Sequence, residues 1–229
     1  MKILNVLGWV ITCTSGFAVM IILGVMASDV GLSNVFTWHP ILLSLAFLMF
    51  MNEGLLVYFN GKLEQTDRSI SRYWHARYMF VASMLAIGGY ICIYISHAKT
   101  NHSQFGIGHH FINALHVWIG YLVLVLMLLQ TLVGMSKYFE MVKAKFHGKL
   151  GLYIYVGGIC NICIASIFWN SESWKGIVPV LIIVLSLSLC TMTFLIKHNG
   201  GILISDNIVD NSDSNEYETV SLNDESIEE

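Results

Sequence analysis

The chain has 229 residues, of which 55% are hydrophobic and only 12% are charged, and it contains just two prolines. This composition is typical of a membrane protein, and it excludes a soluble enzyme or a nucleic-acid-binding domain with a charged surface. The net charge of −3 is a poor guide to partners, because much of the acid lies in the last segment, 199–229.

Six apolar segments follow one another along the chain, and each has about the 20 residues that a membrane-spanning helix needs. We predict these spans at Val6–Ala27, Trp38–Phe59, His75–His97, Ile112–Lys137, Gly148–Phe168 and Gly176–Ile196. The expected fold is therefore an all-α membrane protein with one six-helix domain over residues 1–198. The segment 199–229 is acidic, lacks apolar periodicity and is predicted to be a disordered cytosolic tail.

Basic residues indicate how the chain faces the membrane. They cluster after the second and fourth segments, at Lys62, Arg68, Arg72, Arg77, Lys137, Lys143, Lys145 and Lys149, whereas the opposite loops hold only Lys99 and Lys175. The positive-inside rule then places both termini in the cytosol. The glycosylation sequon Asn101-His102-Ser103 falls in a predicted outer loop, which agrees. The pattern does not distinguish an endomembrane (vesicle, lysosome or endoplasmic reticulum) from the plasma membrane.

Four histidines, His39, His75, His116 and His147, each lie near the start of a separate apolar segment. Ionisable side chains are costly inside a bilayer, so they indicate a functional site. Because neighbouring spans are antiparallel, His39 should meet His116 at the outer side and His75 should meet His147 at the cytosolic side. Any single one could instead be a structural histidine, but four at matched depths favour ligands. Haem takes two axial imidazoles, whereas zinc needs three or four protein ligands; copper is the remaining alternative, although no methionine or cysteine lies at the right depth for it.

Each of these histidines is followed, fourteen residues later, by a polar or small residue: Glu53, Gly89, Gln130 and Asn161 in chain order. In an α-helix, a residue and the one fourteen positions later point within about 40° of the same direction, and they lie about 21 Å apart along the axis. Each of these four residues is therefore predicted to lie near the haem that is not bound by the histidine of its own span. At that haem Gly89 would leave room for the macrocycle. The other three side chains would bond haem propionates, ligand imidazoles or water, or simply join helices.

The cysteines do not change this interpretation. No C-x-x-C-H motif occurs, so any haem would be held non-covalently. Cys160 and Cys163 form a C-x-x-C within one apolar segment, and we interpret them as packing residues.

Several stretches together resemble the cytochrome b561 family of transmembrane electron-transfer proteins. They are Trp38-His39-Pro40, Glu53-Gly54-Leu55-Leu56-Val57-Tyr58, His75-Ala76, and Leu115-His116-Val117-Trp118-Ile119-Gly120 with Gln130. The resemblance implies six helices whose central four bind two b haems, with the four histidines as axial ligands. It also implies ascorbate as cytosolic electron donor, monodehydroascorbate or ferric iron as outer acceptor, surrounding lipid, and it allows a homodimer.

Two positions depart from the ascorbate-specialised branch of that family. Phe59 stands where an arginine usually follows the Leu-Val-Tyr stretch, and Asn113 stands where a tyrosine is expected. Both positions are associated with ascorbate contact. The sequence is therefore more similar to the animal domain-containing members, which resemble ferric-chelate or monodehydroascorbate reductases.

Candidate substrate contacts lie at both ends of the bundle. On the cytosolic side, a basic collar would attract a monoanion such as ascorbate, although topology alone also requires such charges; it comprises Arg72, Arg77, Lys143, Lys145 and Lys149. On the outer side His97 matches a family histidine at that helix end. His109 is the rival of His116 as ligand, while His102 and His110 are interpreted as solvated loop residues.

Two other classes of function remain at this stage. A histidine-lined transporter or proton channel without redox activity would need interrupted helices near the midplane or an inverted repeat. A membrane scaffold would need no histidines at ligand depth. The sequence favours an oxidoreductase: a transmembrane ferric or monodehydroascorbate reductase that uses ascorbate.

Overall fold

A computed structural model describes residues 10, 13–14, 16–25, 31–63, 67–101 and 111–168. All regular structure in these ranges is helical. Four helical segments are long and apolar enough to cross a membrane: Val35–Val57, Arg68–Thr100, Phe111–Tyr138 and His147–Ile167. The all-α membrane fold is thus confirmed for the described part of the chain. The sixth predicted span Gly176–Ile196, the tail 199–229 and the loop histidines His102, His109 and His110 lie outside the described residues.

The first apolar segment contributes a short helix, α1 (Gly16–Val25). Its Val19 and Leu23 are almost fully buried in the core of the bundle. Gly16 permits this approach, because a Cβ there would stand 2.8 Å from the backbone oxygen of Leu48. Cys13, just before α1, donates a hydrogen bond from its thiol to the Glu53 carboxylate at 2.9 Å.

The second span consists of three consecutive helical parts: α2 (Val35–Ser44), a π-helix (Leu45–Met51) and α3 (Asn52–Leu63). Asn34 caps α2, since its side-chain oxygen accepts from the Phe36 amide at 3.0 Å. In the π-helix the backbone bonds run from i to i+5, so each turn contains about one more residue than an α-helical turn. Two residues on either side of the π-helix therefore face in different relative directions from two residues with the same separation in a regular α-helix.

Helix α4 (Arg68–Thr100) has 33 residues and is the longest in the described part of the chain. At about 1.5 Å per residue it extends beyond a hydrocarbon layer of about 30 Å. Asp67 caps its first turn by accepting from the Ser69 amide at 2.9 Å, and this hydrogen bond lowers the pKa of the Asp67 carboxyl. Asn101 ends the helix in the left-handed conformation with φ of 54°.

Helices α5 (Phe111–Tyr138) and α6 (His147–Phe168) complete the described bundle. Apolar side chains at intervals of three or four residues on α5 are more than half exposed and form its lipid face: Trp118, Leu122, Val125, Leu129 and Leu132. Its opposite face buries Val123, Met127 and Gln130. Hydrophobicity on both faces is what a helix surrounded partly by protein and partly by lipid requires.

The core between the helices is apolar with a few polar bridges. Phe47 of the π-helix packs directly against Gly158 of α6, where a Cβ would collide with the ring. The Tyr155 hydroxyl donates to Asn52 Oδ1 at 3.1 Å, which joins α6 to α3. The hydroxyls of Ser83 and Thr131 are 2.7 Å apart and join α4 to α5. Helices α2–α4 and helices α5–α6 thus form two halves that meet along this core.

Candidate haem-binding sites

The four histidines come together as two pairs, and each pair joins one half of the bundle to the other. The ring centroids of His39 and His116 are 6.4 Å apart, with their planes at 88°. Those of His75 and His147 are 6.0 Å apart, with their planes at 79°. These are the pairs that the antiparallel order of the spans predicts.

The ring separations fit two imidazoles that share one iron atom. A metal–nitrogen bond of about 2 Å, with about 1.1 Å from nitrogen to ring centroid, places the centroids of two axial imidazoles about 6 Å apart. Among the described residues no group of three or more His, Cys, Asp or Glu side chains comes together. Two imidazoles per site match a porphyrin, because the macrocycle itself supplies four nitrogens.

Three of the rings are oriented by backbone carbonyls on a neighbouring helix. The Nδ1 atom of His39 lies 2.9 Å from Gly89 O, that of His75 lies 2.7 Å from Gly54 O, and that of His116 lies 3.3 Å from Asn161 O. A carbonyl oxygen can only accept, so Nδ1 carries the proton in each case. The lone pair is then on Nε2, the nitrogen that is left to bind a metal.

The fourth ring, His147, is held differently. Its Nδ1 is buried and has no hydrogen-bond partner among the described residues. Its backbone oxygen instead accepts from the side-chain amide of Gln130. Gly134, one turn after Gln130, lies close to the ring, since a Cβ there would stand 3.0 Å from His147 Cε1. Helix α5 therefore supports His147 with one glycine and one amide.

The residues fourteen positions after each histidine mostly lie near the opposite pair. Gly89 and Asn161 contact His39 and His116 through their backbone oxygens, and Gln130 contacts His147. The side-chain oxygens of Asn161 and Gln130 are buried and have no hydrogen-bond partner among the described residues. Each is a buried acceptor on a residue that contacts a site histidine, and a bound polar group or an imidazole N–H could satisfy it.

Glu53 is placed otherwise. Its carboxylate accepts from Cys13, and the next residue, Gly54, contacts the His75 ring. The cause is the π-helix, whose extra residue makes the offset fifteen rather than fourteen in this span. Glu53 thus connects the second span to Cys13, in the segment just before α1, and is adjacent in sequence to the residue that contacts His75.

A cavity of about 260 Å³ lies beside the His39–His116 pair. His97, predicted to meet the outer substrate, lines this cavity together with Asn113. Tyr90 and Tyr121, which the sequence analysis did not single out, line it as well, and their rings are 5.7 Å apart. In the sequence, these tyrosines are marked only by their neighbours: Tyr90 follows Gly89, and Tyr121 follows Gly120. Both glycines approach site residues in the structure.

The basic side chains of the predicted collar are exposed. Arg72 precedes His75 by three residues and so lies near the same face of α4. Arg77 follows His75 by two residues, about 200° around the helix, and its guanidinium stacks over the Tyr73 ring at 4.2 Å. Lys143 and Lys145 lie in the loop between α5 and α6. The structure therefore brings Arg72 closer in angle to the His75 ring than Arg77.

This combination of an apolar helical bundle and two facing pairs of imidazoles is what a membrane protein that holds haem between histidines requires. The sequence profile of eukaryotic cytochrome b561 matches residues 38–168, more than half of the chain. The chain belongs to the cytochrome b561 family, whose members bind haem b and act as transmembrane reductases. The matched range includes all four histidines.

A curated relative supports the same assignment over a shorter length. The chain is 44% identical over 55 residues to a Bos taurus protein described as the transmembrane reductase CYB561D2. The match covers 24% of this chain and 24% of the relative, so the chain spans about a quarter of the length of that protein. CYB561D2 belongs by its name to the domain-containing members that the motifs resemble.

Proposed function

We propose that this protein transfers single electrons across a membrane, from cytosolic ascorbate through two non-covalent b haems to an acceptor on the other side. The acceptor is monodehydroascorbate or a ferric chelate. The observation that carries the proposal is the presence of two imidazole pairs, with centroids 6.4 and 6.0 Å apart, on four antiparallel helices. Family membership and the name of the bovine relative point in the same direction.

The residues of the chain would perform distinct tasks in this function. His39 and His116 would ligate the outer haem, and His75 and His147 the cytosolic haem; the haem iron supplies reversible one-electron chemistry. The carbonyls at Gly54, Gly89 and Asn161 would fix the three tautomers and strengthen the imidazoles as donors.

The environment of the two pairs also suits electron transfer. Phe47 and Ile154 are buried in the core, and so is Met127 of α5. A dry, rigid core limits the reorganisation that accompanies a change of charge. An inside-negative potential of 100 mV would favour outward movement of one electron by about 2.3 kcal/mol.

Substrate contacts complete the proposal. Arg72, Arg77, Lys143 and Lys145 would attract anionic ascorbate to the cytosolic end, with Arg72 the favoured contact because of its position relative to His75. His97, on the cavity beside the outer pair, would face the acceptor. Each ascorbate would give up one electron to the protein and release a proton to water, and each acceptor would take up one electron.

The first test is haem content. Purified protein should give a pyridine haemochrome close to two haems per chain and a dithionite-reducible α-band. Proteoliposomes loaded with ascorbate should then reduce an external ferric chelate, and a His39→Ala variant should not. Absence of haem would overturn the relay altogether, whereas two haems without transfer from ascorbate would overturn only the donor.

A further inference from the structure

One of the four candidate ligands lacks the support that the other three share. His39, His75 and His116 each direct Nδ1 to a backbone oxygen. The Nδ1 atom of His147 is buried, but no described residue bonds it. A buried imidazole N–H needs an acceptor, because its loss of water is otherwise uncompensated.

An acceptor without a donor lies on the residue that already contacts His147. Gln130 is only 9% exposed, and its Oε1 has no hydrogen-bond partner among the described residues. Its Nε2 donates to the backbone oxygen of His147, so the two residues are direct neighbours. An unpaired donor on one neighbour and an unpaired acceptor on the other form a matching set.

The surrounding glycines hold these two side chains together. Gly134 is one turn after Gln130 and lies against the His147 ring, and Gly151 is one turn after His147 and lies against Gln130. A Cβ at Gly151 would stand 3.4 Å from Gln130 Nε2. The amide and the imidazole thus lie next to each other between α5 and α6.

We propose that Gln130 is a positioning residue for His147: its Oε1 accepts the Nδ1 proton, directly or through one buried water, and so orients the ring and tunes the haem that His147 ligates. This inference rests on the proposed function, since it requires a haem at the His75–His147 pair. In this inference the acceptor that orients His147 is a side chain, whereas the acceptors that orient the other three histidines are backbone oxygens. A side-chain acceptor can be changed by mutation, whereas the three backbone acceptors cannot.

The expected consequence is a change in the potential of one haem. An Nδ1–H···O bond makes the imidazole a stronger donor and stabilises the ferric state. Gln130→Leu removes the acceptor, so the midpoint of the cytosolic haem should move to a more positive value. At the wild-type midpoint the ratio of reduced to oxidised haem should rise on the order of three- to tenfold, and tenfold corresponds to about 59 mV for one electron.

The experiment is an optical redox titration of the purified holoprotein, which gives two one-electron waves. The wave that is absent in His147→Ala belongs to the cytosolic site. Gln130→Leu should shift that wave alone, and Gln130→Glu should shift it negatively, because a carboxylate is a stronger acceptor. The low-spin EPR signal of the same haem should change in both variants.

Two controls separate this role from general perturbation of the core. Thr131→Val removes the neighbouring polar group on α5 and should move neither wave. Asn161→Leu removes the corresponding amide at the other pair, where His116 keeps its backbone acceptor, so the outer wave should move less than the cytosolic wave does in Gln130→Leu.

The outcomes are decisive in each direction. A cytosolic wave that is unmoved in Gln130→Leu, or moves positively in Gln130→Glu as well, would overturn the inference while leaving the relay intact. If Gln130→Leu fails to retain haem, the direction of the Gln130→Glu shift decides. If wild-type protein binds no haem, the proposed function fails first.

Discussion

The two halves of the bundle hold their histidines by different means. In the α2–α4 half, the contacts are reciprocal: the His39 ring bonds Gly89 O on α4, and the His75 ring bonds Gly54 O on α3. In the α5–α6 half, His116 has a longer backbone contact of 3.3 Å, and His147 has Gln130 instead. Backbone acceptors depend only on the fold, whereas amide side chains depend on residue identity. The first half is therefore the more rigid template, and the second is the half in which substitutions can tune the site.

The largest expected effect comes from removing a ligand from the second half. His116→Ala should reduce the pyridine haemochrome from two haems per chain to one and abolish transfer to the outer acceptor, because one imidazole cannot hold a low-spin haem between two halves. His109→Ala is the matched control and should keep both haems. Retention of two haems by His116→Ala would refute the assignment of His116 as ligand.

The next effect tests the contact between the halves. Gly158→Ala should destabilise the protein by about 1–3 kcal/mol, since the added methyl group would overlap the Phe47 ring. The measurement is thermal unfolding in detergent. Gly88→Ala is the control, because a Cβ there meets only Leu42 Cδ1 at 3.5 Å. Equal melting temperatures for the two variants would show that Phe47 is not packed as described.

A smaller effect is expected for the polar bridge between α3 and α6. Tyr155→Phe and Asn52→Leu each remove one partner of a buried hydrogen bond of 3.1 Å. A double-mutant cycle should give a coupling free energy of about 0.6 kcal/mol, the average for hydrogen bonds between membrane helices. A coupling of zero would mean that the two side chains contribute to stability independently.

The smallest effect concerns the two helix caps in the first half. The hydrogen bond from Ser69 lowers the pKa of Asp67, so its contribution is present above the usual carboxyl range and is lost as pH falls through the lowered pKa. The protection factor of the amides in the first turn of α4, which compares observed with intrinsic exchange at each pH, should therefore fall at low pH. The turn capped by Asn34 has no titrating group in its cap and should not respond. A parallel response of both turns would contradict this role of Asp67.

Much of the architecture followed from the sequence, because apolar length and loop charge are strong signals in membranes. The described spans lie where they were predicted, but they are longer: α4 runs from Arg68 to Thr100 rather than from His75 to His97. Hydropathy detects only the part in lipid, whereas the helix continues through polar residues to its caps at Asp67 and Asn101.

The pairing of the histidines also followed from the sequence, since it needs only the order and direction of the spans. The surroundings of Glu53, in contrast, did not follow from the sequence. A constant fourteen-residue offset assumes a regular α-helix, and nothing in Leu45–Met51 announces a π-helix. The sequence also did not predict which single group Gln130 contacts, because an amide can bond many groups. The packing of Gly134 and Gly151 places it beside His147.

The π-helix also has a consequence for how this chain tolerates length changes. A π-turn is equivalent to one residue inserted into an α-helix. Loss of a single residue within 45–51 would restore regular α-helix, and His39 and Gly54, then fourteen residues apart, would keep the angular relation that they have now. The middle of this membrane segment can thus lose one residue without turning either end of the span away from its partner.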